Sequence, residues 1–161
     1  MSAAAAGDSP VGTATRTWRT RDGEETEAVG AAELGTPPPP GSPCRVVTLS
    51  GDLGAGKSTF ARGALRALGA RGVIKSPSYT LLESYELPDV QVIHLDLYRL
   101  RDPEELENLG LADYHRPGFL WLIEWPEKGA GRLPAPDRAY VFSIEDGGHR
   151  IERIEFVAPT T

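Results

Sequence analysis

The stretch VVTLSGDLGAGKSTFARGALRAL, residues 46–68, sets an apolar run, a glycine-rich turn and a helical pattern end to end. From Gly51 to Ser58 it reads G-x-x-x-x-G-K-S. Gly51, Gly54 and Gly56 admit backbone torsions and close approaches that a Cβ would block. Successive amides can then point inward and surround a phosphate. The helix starting near Lys57 adds the partial positive charge of its N-terminus. Lys57 is placed to reach the β- and γ-phosphates of a nucleotide, and the Ser58 hydroxyl to ligate Mg²⁺. The flanking strand and amphipathic helix separate this run from a chance match in a glycine-rich chain. The candidate phosphate-binding set is Gly51, Asp52, Gly54, Ala55, Gly56, Lys57, Ser58 and Thr59.

Guanine-reading proteins carry an N/T-K-x-D segment. Here Asn108 is the only asparagine and Leu109 follows it, and no T-K-x-D occurs. ATP is therefore the expected nucleotide.

Composition narrows the class. The chain has 161 residues, the size of one ordinary domain, and a formal net charge of −6. That charge argues against a stand-alone nucleic-acid binder, which needs a basic surface to release counterions. Cys44 is the only cysteine, which rules out an intrachain disulfide and a cysteine-based metal site. MSAAAAGDSP lacks the basic and apolar regions of a signal peptide, and FLWLI at 119–123 is far too short to span a bilayer. A soluble cytoplasmic protein is expected, with neither membrane nor DNA as partner.

Residues 1–15 are poor in core-forming side chains and read as a disordered tail, leaving a single domain over 16–158. A short strand is expected at Thr17–Thr20, then a helix with Ala28, Ala31, Ala32 and Leu34 on its inner side. The prolines of GTPPPPGSP, residues 35–43, end that helix and make a stiff connector within the domain. CRVVTLS and FLWLIEW have the continuous apolar character of strands buried on both faces. Phe60, Ala61, Ala64, Leu65 and Leu68 share one face of the helix after the loop, which Gly69 stops. SPSYTLLESYEL and VQVIHLDLY read as two strands. DPEELENLG reads as a helix capped by Asp102, with Pro103 first, Glu105 closing a capping box and Gly110 as the stop. Two alternating runs around Asp146, Gly147 and Gly148 form a terminal hairpin. This order predicts an α/β, P-loop NTPase-like three-layer fold. Its central sheet is mainly parallel, with antiparallel additions that include the hairpin.

Phosphoryl chemistry calls for a carboxylate at a strand end, on the metal or on the attacking water. VIHLD ends in Asp96 and LWLIE ends in Glu124, each at the C-terminal edge where open α/β sheets bind ligands. The sequence does not divide the two roles. His94 shares a strand face with Asp96, and a structural role is its default. Trp121 and Tyr98, inside apolar runs, read as core. Arg99 is the nearest candidate for an arginine finger, with a plain surface arginine the simpler reading.

Together, GDLGAGKST, SPSYTLLESYE, HLDLYRLRDPEELENLGLADY and LIEWPEKGAGRLP resemble the TsaE (YjeE) family of small bacterial ATPases, over about residues 17–157. The resemblance implies a part in forming threonylcarbamoyladenosine on tRNAs that read codons beginning with A. TsaD and TsaB would be partners, and tRNA would be engaged through their complex. It also implies Mg²⁺ ligation by Ser58 and Glu124, an activity-critical Asp96, and Trp125 close to the nucleotide. Thr26 would lie near the adenine, and the SPSY segment would correspond to a switch-like loop, with an ordinary proline-containing turn as the alternative reading. Lys57 and Asp96 are thus the candidate catalytic residues. A small kinase on the same loop and a non-catalytic nucleotide-dependent assembly switch are the alternatives. A lid-less open site excludes water poorly, so a weak ATPase raised by a partner is expected.

Overall fold

The computed structural model describes residues 11–156. Seven strands form one sheet: β1 (Gly12–Thr20), β2 (Arg45–Gly51), β3 (Leu82–Glu86), β4 (Gln91–Asp96), β5 (Phe119–Glu124), β6 (Arg138–Glu145) and β7 (Gly148–Phe156). Their spatial order is β1-β7-β6-β2-β5-β4-β3. Strands β6, β2, β5 and β4 run parallel, and β3, β7 and β1 add antiparallel edges. The mainly parallel α/β sheet with its C-terminal hairpin is thus as the sequence indicates.

Side-chain alternation along the central strands fills two cores. Val47, Leu49, Leu120, Leu122 and Val92 face α1 (Gly23–Leu34) and α2 (Lys57–Ala67). Val46, Phe119, Trp121, Ile123, Ile93 and Leu95 face the chain after β4, with Leu97, Leu100 and Leu106. The two helices touch closely. A Cβ on Gly30 would stand 2.1 Å from the Phe60 carbonyl oxygen, and one on Gly63 2.1 Å from that of Glu27. Only glycine permits this approach.

Several local expectations need correction. Strand β1 begins at Gly12, because β7 offers partners along its whole length: Gly12 faces Phe156 and Thr20 faces His149. Residues 12–15 therefore belong to the sheet and not to a tail; residues 1–10 lie outside the described residues. The inner face of α1 is Thr26, Gly30 and Leu34, while Ala28 and Ala32 are exposed. Contact with α2 at Gly30 sets that rotation. Of SPSYTLLESYEL only Leu82–Glu86 is strand, and Ser76–Leu81 turns across the sheet edge instead. DPEELENLG is a 3₁₀-helix, Pro103–Leu109, and not an α-helix. Its end signals hold: Asp102 accepts from the Glu104 amide, Glu105 from the Arg101 amide, and Gly110 takes the left-handed conformation. Among the described residues no helix is long and apolar enough to cross a membrane.

Candidate functional site

A cavity of about 260 Å³ opens at the C-terminal edge of β2, β4 and β5. The loop from Gly51 to Ser58 forms its floor. Gly51, Gly54 and Gly56 take φ values of 143°, 79° and 105°, the region a glycine-free loop would avoid. Gly56 caps α2 without a side chain, so the first helical amides are left to whatever the loop encloses. Lys57 is 5% exposed. Its Nζ donates to the Gly51 carbonyl and, at 2.9 Å, to that of Asp52. Burial pushes its ammonium below the ordinary lysine range, against the opposing pull of Glu124, Glu127 and Asp96. Asp52 contributes its carbonyl, while Ala55 is buried beneath the loop and Thr59 lines the cavity.

The two strand-end acids meet here. Asp96 and Glu124 are register partners on adjacent parallel strands, and both are buried. Glu124 Oε1 accepts from Ser58 Oγ at 2.7 Å, and its Oε2 from His94 Nε2 at 2.7 Å. Burial alone would raise the Glu124 carboxyl, but the hydrogen bonds from His94, Ser58 and Ser76 outweigh it and hold the group below the ordinary glutamate range. His94 is 1% exposed, so it supports Glu124 from within the core.

Asp96 is held by the turn before β3. Ser76 Oγ lies 2.5 Å from Asp96 Oδ2 and 3.1 Å from Glu124 Oε2, and Ser78 Oγ lies 3.2 Å from Asp96 Oδ2. The remaining Asp96 oxygen accepts from the Tyr98 amide at 3.1 Å. Only the family resemblance singles out their SPSY segment; the bonds themselves are not legible in the sequence, because their partners lie on strands formed later in the chain.

Trp125 follows Glu124 in a left-handed conformation, φ 59° and ψ 51°, which turns its ring over the cavity. Tyr98 stacks on it with ring centroids 5.0 Å apart. Tyr98 is 42% exposed and lines the cavity, so it is not core; Trp121, 1% exposed, is. Arg99 lies over the Tyr79 ring at 4.3 Å and does not line the cavity. Thr26 is fully buried, its hydroxyl 2.8 Å from that of Thr20 and 3.2 Å from the Asp22 carbonyl. It packs beneath Gly56 and does not reach the cavity wall. His149, from the hairpin, does line it, and a position beside a turn gave the sequence no reason to single it out.

Among the described residues no three His, Cys, Asp or Glu side chains gather as a metal site. Ser58 and Glu124 nevertheless present two hard oxygens at one point, enough for an ion that draws its other ligands from phosphates and water.

Several known proteins are similar to this chain. The profile of the family described as "Threonylcarbamoyl adenosine biosynthesis protein TsaE" matches residues 20–154. The tRNA threonylcarbamoyladenosine biosynthesis protein TsaE of Haemophilus influenzae is 49% identical over 109 residues, 68% of this chain and 69% of that one. The protein of that name from Bacillus subtilis is 37% identical over 117 residues, 73% of this chain and 70% of that one. The crystal structure of Bacillus subtilis YdiB superposes with a TM-score of 0.72 at 28% identity, covering 91% of this chain and 88% of the other.

Proposed function

Since the chain belongs to the TsaE family, we propose that it serves threonylcarbamoyladenosine formation on tRNAs reading ANN codons, as an accessory protein that binds and hydrolyses ATP alongside TsaD and TsaB. The observation that carries the nucleotide part of this reading is the 2.7 Å contact between Ser58 and Glu124, at the mouth of a glycine loop that encloses Lys57. Lysine, hydroxyl and carboxylate converge where the β- and γ-phosphates of a bound nucleotide would lie.

In this reading Lys57 leaves the Gly51 and Asp52 carbonyls for phosphate oxygens, and the loop amides hold the triphosphate. Ser58 and Glu124 would hold Mg²⁺, which would supply neutralisation of charge on the transferring group. Asp96 orients the attacking water, and Trp125 flanks the nucleotide. The segment where a small kinase would carry a lid instead buries Leu97, Leu100 and Leu106 in the core, which favours water over a larger acceptor.

One observation favours a second reading, an assembly switch. Ser76 and Ser78 tie Asp96 to the turn that presents Tyr79, 83% exposed, so the state of the site is coupled to a projecting surface.

The test is reconstitution of tRNA modification with TsaD and TsaB, with and without this chain. Modified tRNA that accumulates over many turnovers only when the chain and ATP are present is the expected result. Equal yield without the chain removes the assignment.

A further inference from the structure

Each oxygen of the Glu124 carboxylate has its own partners. Oε1 meets the Ser58 hydroxyl at 2.7 Å. Oε2 meets His94 Nε2 at 2.7 Å and Ser76 Oγ at 3.1 Å. Ser76 has a single hydroxyl proton, and Asp96 Oδ2 competes for it from 2.5 Å. His94 is therefore the constant donor to Oε2. A carboxylate only accepts, so Nε2 carries the proton. The other ring nitrogen, Nδ1, is buried with no hydrogen-bond partner among the described residues. The ring passes no proton onward, and what it does is hold Oε2.

That hold is rigid. His94 and Glu124 stand on the adjacent parallel strands β4 and β5, and each is 1% exposed. Ser76, by contrast, comes from the turn before β3. Glu124 is thus left with one oxygen to offer a cation, and not two. This matters because divalent ions differ in the oxygens they want. Mg²⁺ demands a tight octahedron and takes a carboxylate through a single oxygen. Ca²⁺ is larger, gathers more oxygens and often takes both from one carboxylate.

We propose that His94 is a specificity-determining positioning residue: by occupying Oε2 it makes Glu124 a one-oxygen ligand, and so sets the site for Mg²⁺ against Ca²⁺. This rests on the reading above in which Ser58 and Glu124 hold the cation of a bound nucleotide. It adds that the choice of cation is made behind the ligands, in the core between β4 and β5. Without the ring, Oε2 would be a buried oxygen left with only the shared Ser76 proton, and would turn to the cation instead.

The experiment measures binding of the non-hydrolysable β,γ-imido analogue of ATP by calorimetry, with Mg²⁺ or with Ca²⁺, to the full chain and to His94→Phe and His94→Gln. Phenylalanine keeps a ring and loses the donor, whereas glutamine keeps a donor. The quantity read is the ratio of the two affinities, not hydrolysis. Wild type is expected to bind the analogue more tightly with Mg²⁺. His94→Phe should shrink that preference by about tenfold or more, the usual effect of removing the partner of a metal ligand, and His94→Gln should recover part of it. An unchanged preference in His94→Phe, equal weakening with both cations included, would mean that the ring only supports the core, and would overturn the proposal. So would wild type that binds equally well with either cation. Wild type that takes up no analogue, or takes it up equally with and without a divalent cation, would instead remove the metal–nucleotide reading beneath it. A measurement without any variant covers misfolding. Mn²⁺ bound with the analogue is followed by its electron paramagnetic resonance signal while Mg²⁺ or Ca²⁺ is added. Mg²⁺ is expected to displace it at about tenfold lower concentration than Ca²⁺, after correction for the same competition on the analogue free in solution. Equal displacement would sink the proposal.

Discussion

Lys57 Nζ lies 4.0 Å from the centroid of the Trp125 ring. The ammonium is thus held between two backbone carbonyls and an aromatic face, each of which it would give up in part to reach a phosphate. The left-handed backbone at Trp125 makes this contact, because an extended continuation of β5 would carry the ring past the loop.

Nucleotide entry should therefore change the emission of Trp125. Trp121 is fully buried and Trp18 belongs to the β1 edge, away from the cavity. Titration with ATP and Mg²⁺ is expected to give a saturable change in tryptophan fluorescence that Trp125→Phe removes. Lys57→Ala should abolish binding by calorimetry. A full signal in Trp125→Phe would place the nucleotide elsewhere.

Asp96 and Glu124 sit side by side, yet their replacements should differ. Glu124→Gln keeps the bond to Ser58 but removes the charge, so Mg²⁺-dependent phosphate release should fall by about 10²-fold or more. Asp96→Ala should lower phosphate release and leave ATP affinity within a few fold, since Asp96 bonds to Ser76, Ser78 and Tyr98 and not to the loop. If hydrolysis vanishes in Asp96→Ala while partner docking and tRNA modification persist, the switch reading replaces the ATPase reading.

Gly30→Ala or Gly63→Ala would drive a methyl into backbone of the facing helix. Each change should destabilise the protein by about 1–3 kcal/mol, read as a lower denaturation midpoint. The double variant should fall short of the sum, because both methyls force apart the same pair of helices. A Tm within error of wild type for both single variants would show that the helices can separate without loss.

Burial, reinforced by the nearby Asp137 carboxylate, pushes the Cys44 thiol up to about 11. The folded protein should then react slowly with iodoacetamide at pH 8, with the rate rising only towards pH 11. The unfolded thiol loses its proton first, near 9, so stability falls as pH rises from there towards about 11. Rapid alkylation of the folded chain at neutral pH would contradict the environment described for Cys44.

The parts of this protein that were legible in its sequence are those set by neighbours along the chain. The phosphate loop needs glycines, a lysine and a hydroxyl at fixed spacing, and α2 needs one apolar face; both stand as read. The hairpin and the fully apolar strands follow from turn chemistry and alternation in the same way. Tertiary structure decided whatever depends on residues distant in sequence. Which face of α1 is buried was fixed by the Gly30 approach to α2 and not by its alanines. Strand β1 reaches Gly12 because β7, more than a hundred residues later, is there to pair with it. Ser76 leaves a strand-like run to bond Asp96 and Glu124, 20 and 48 residues away. Hydrophobic periodicity and turn propensity act over a few residues, whereas a hydrogen bond between remote side chains exists only once the sheet has brought its strands together.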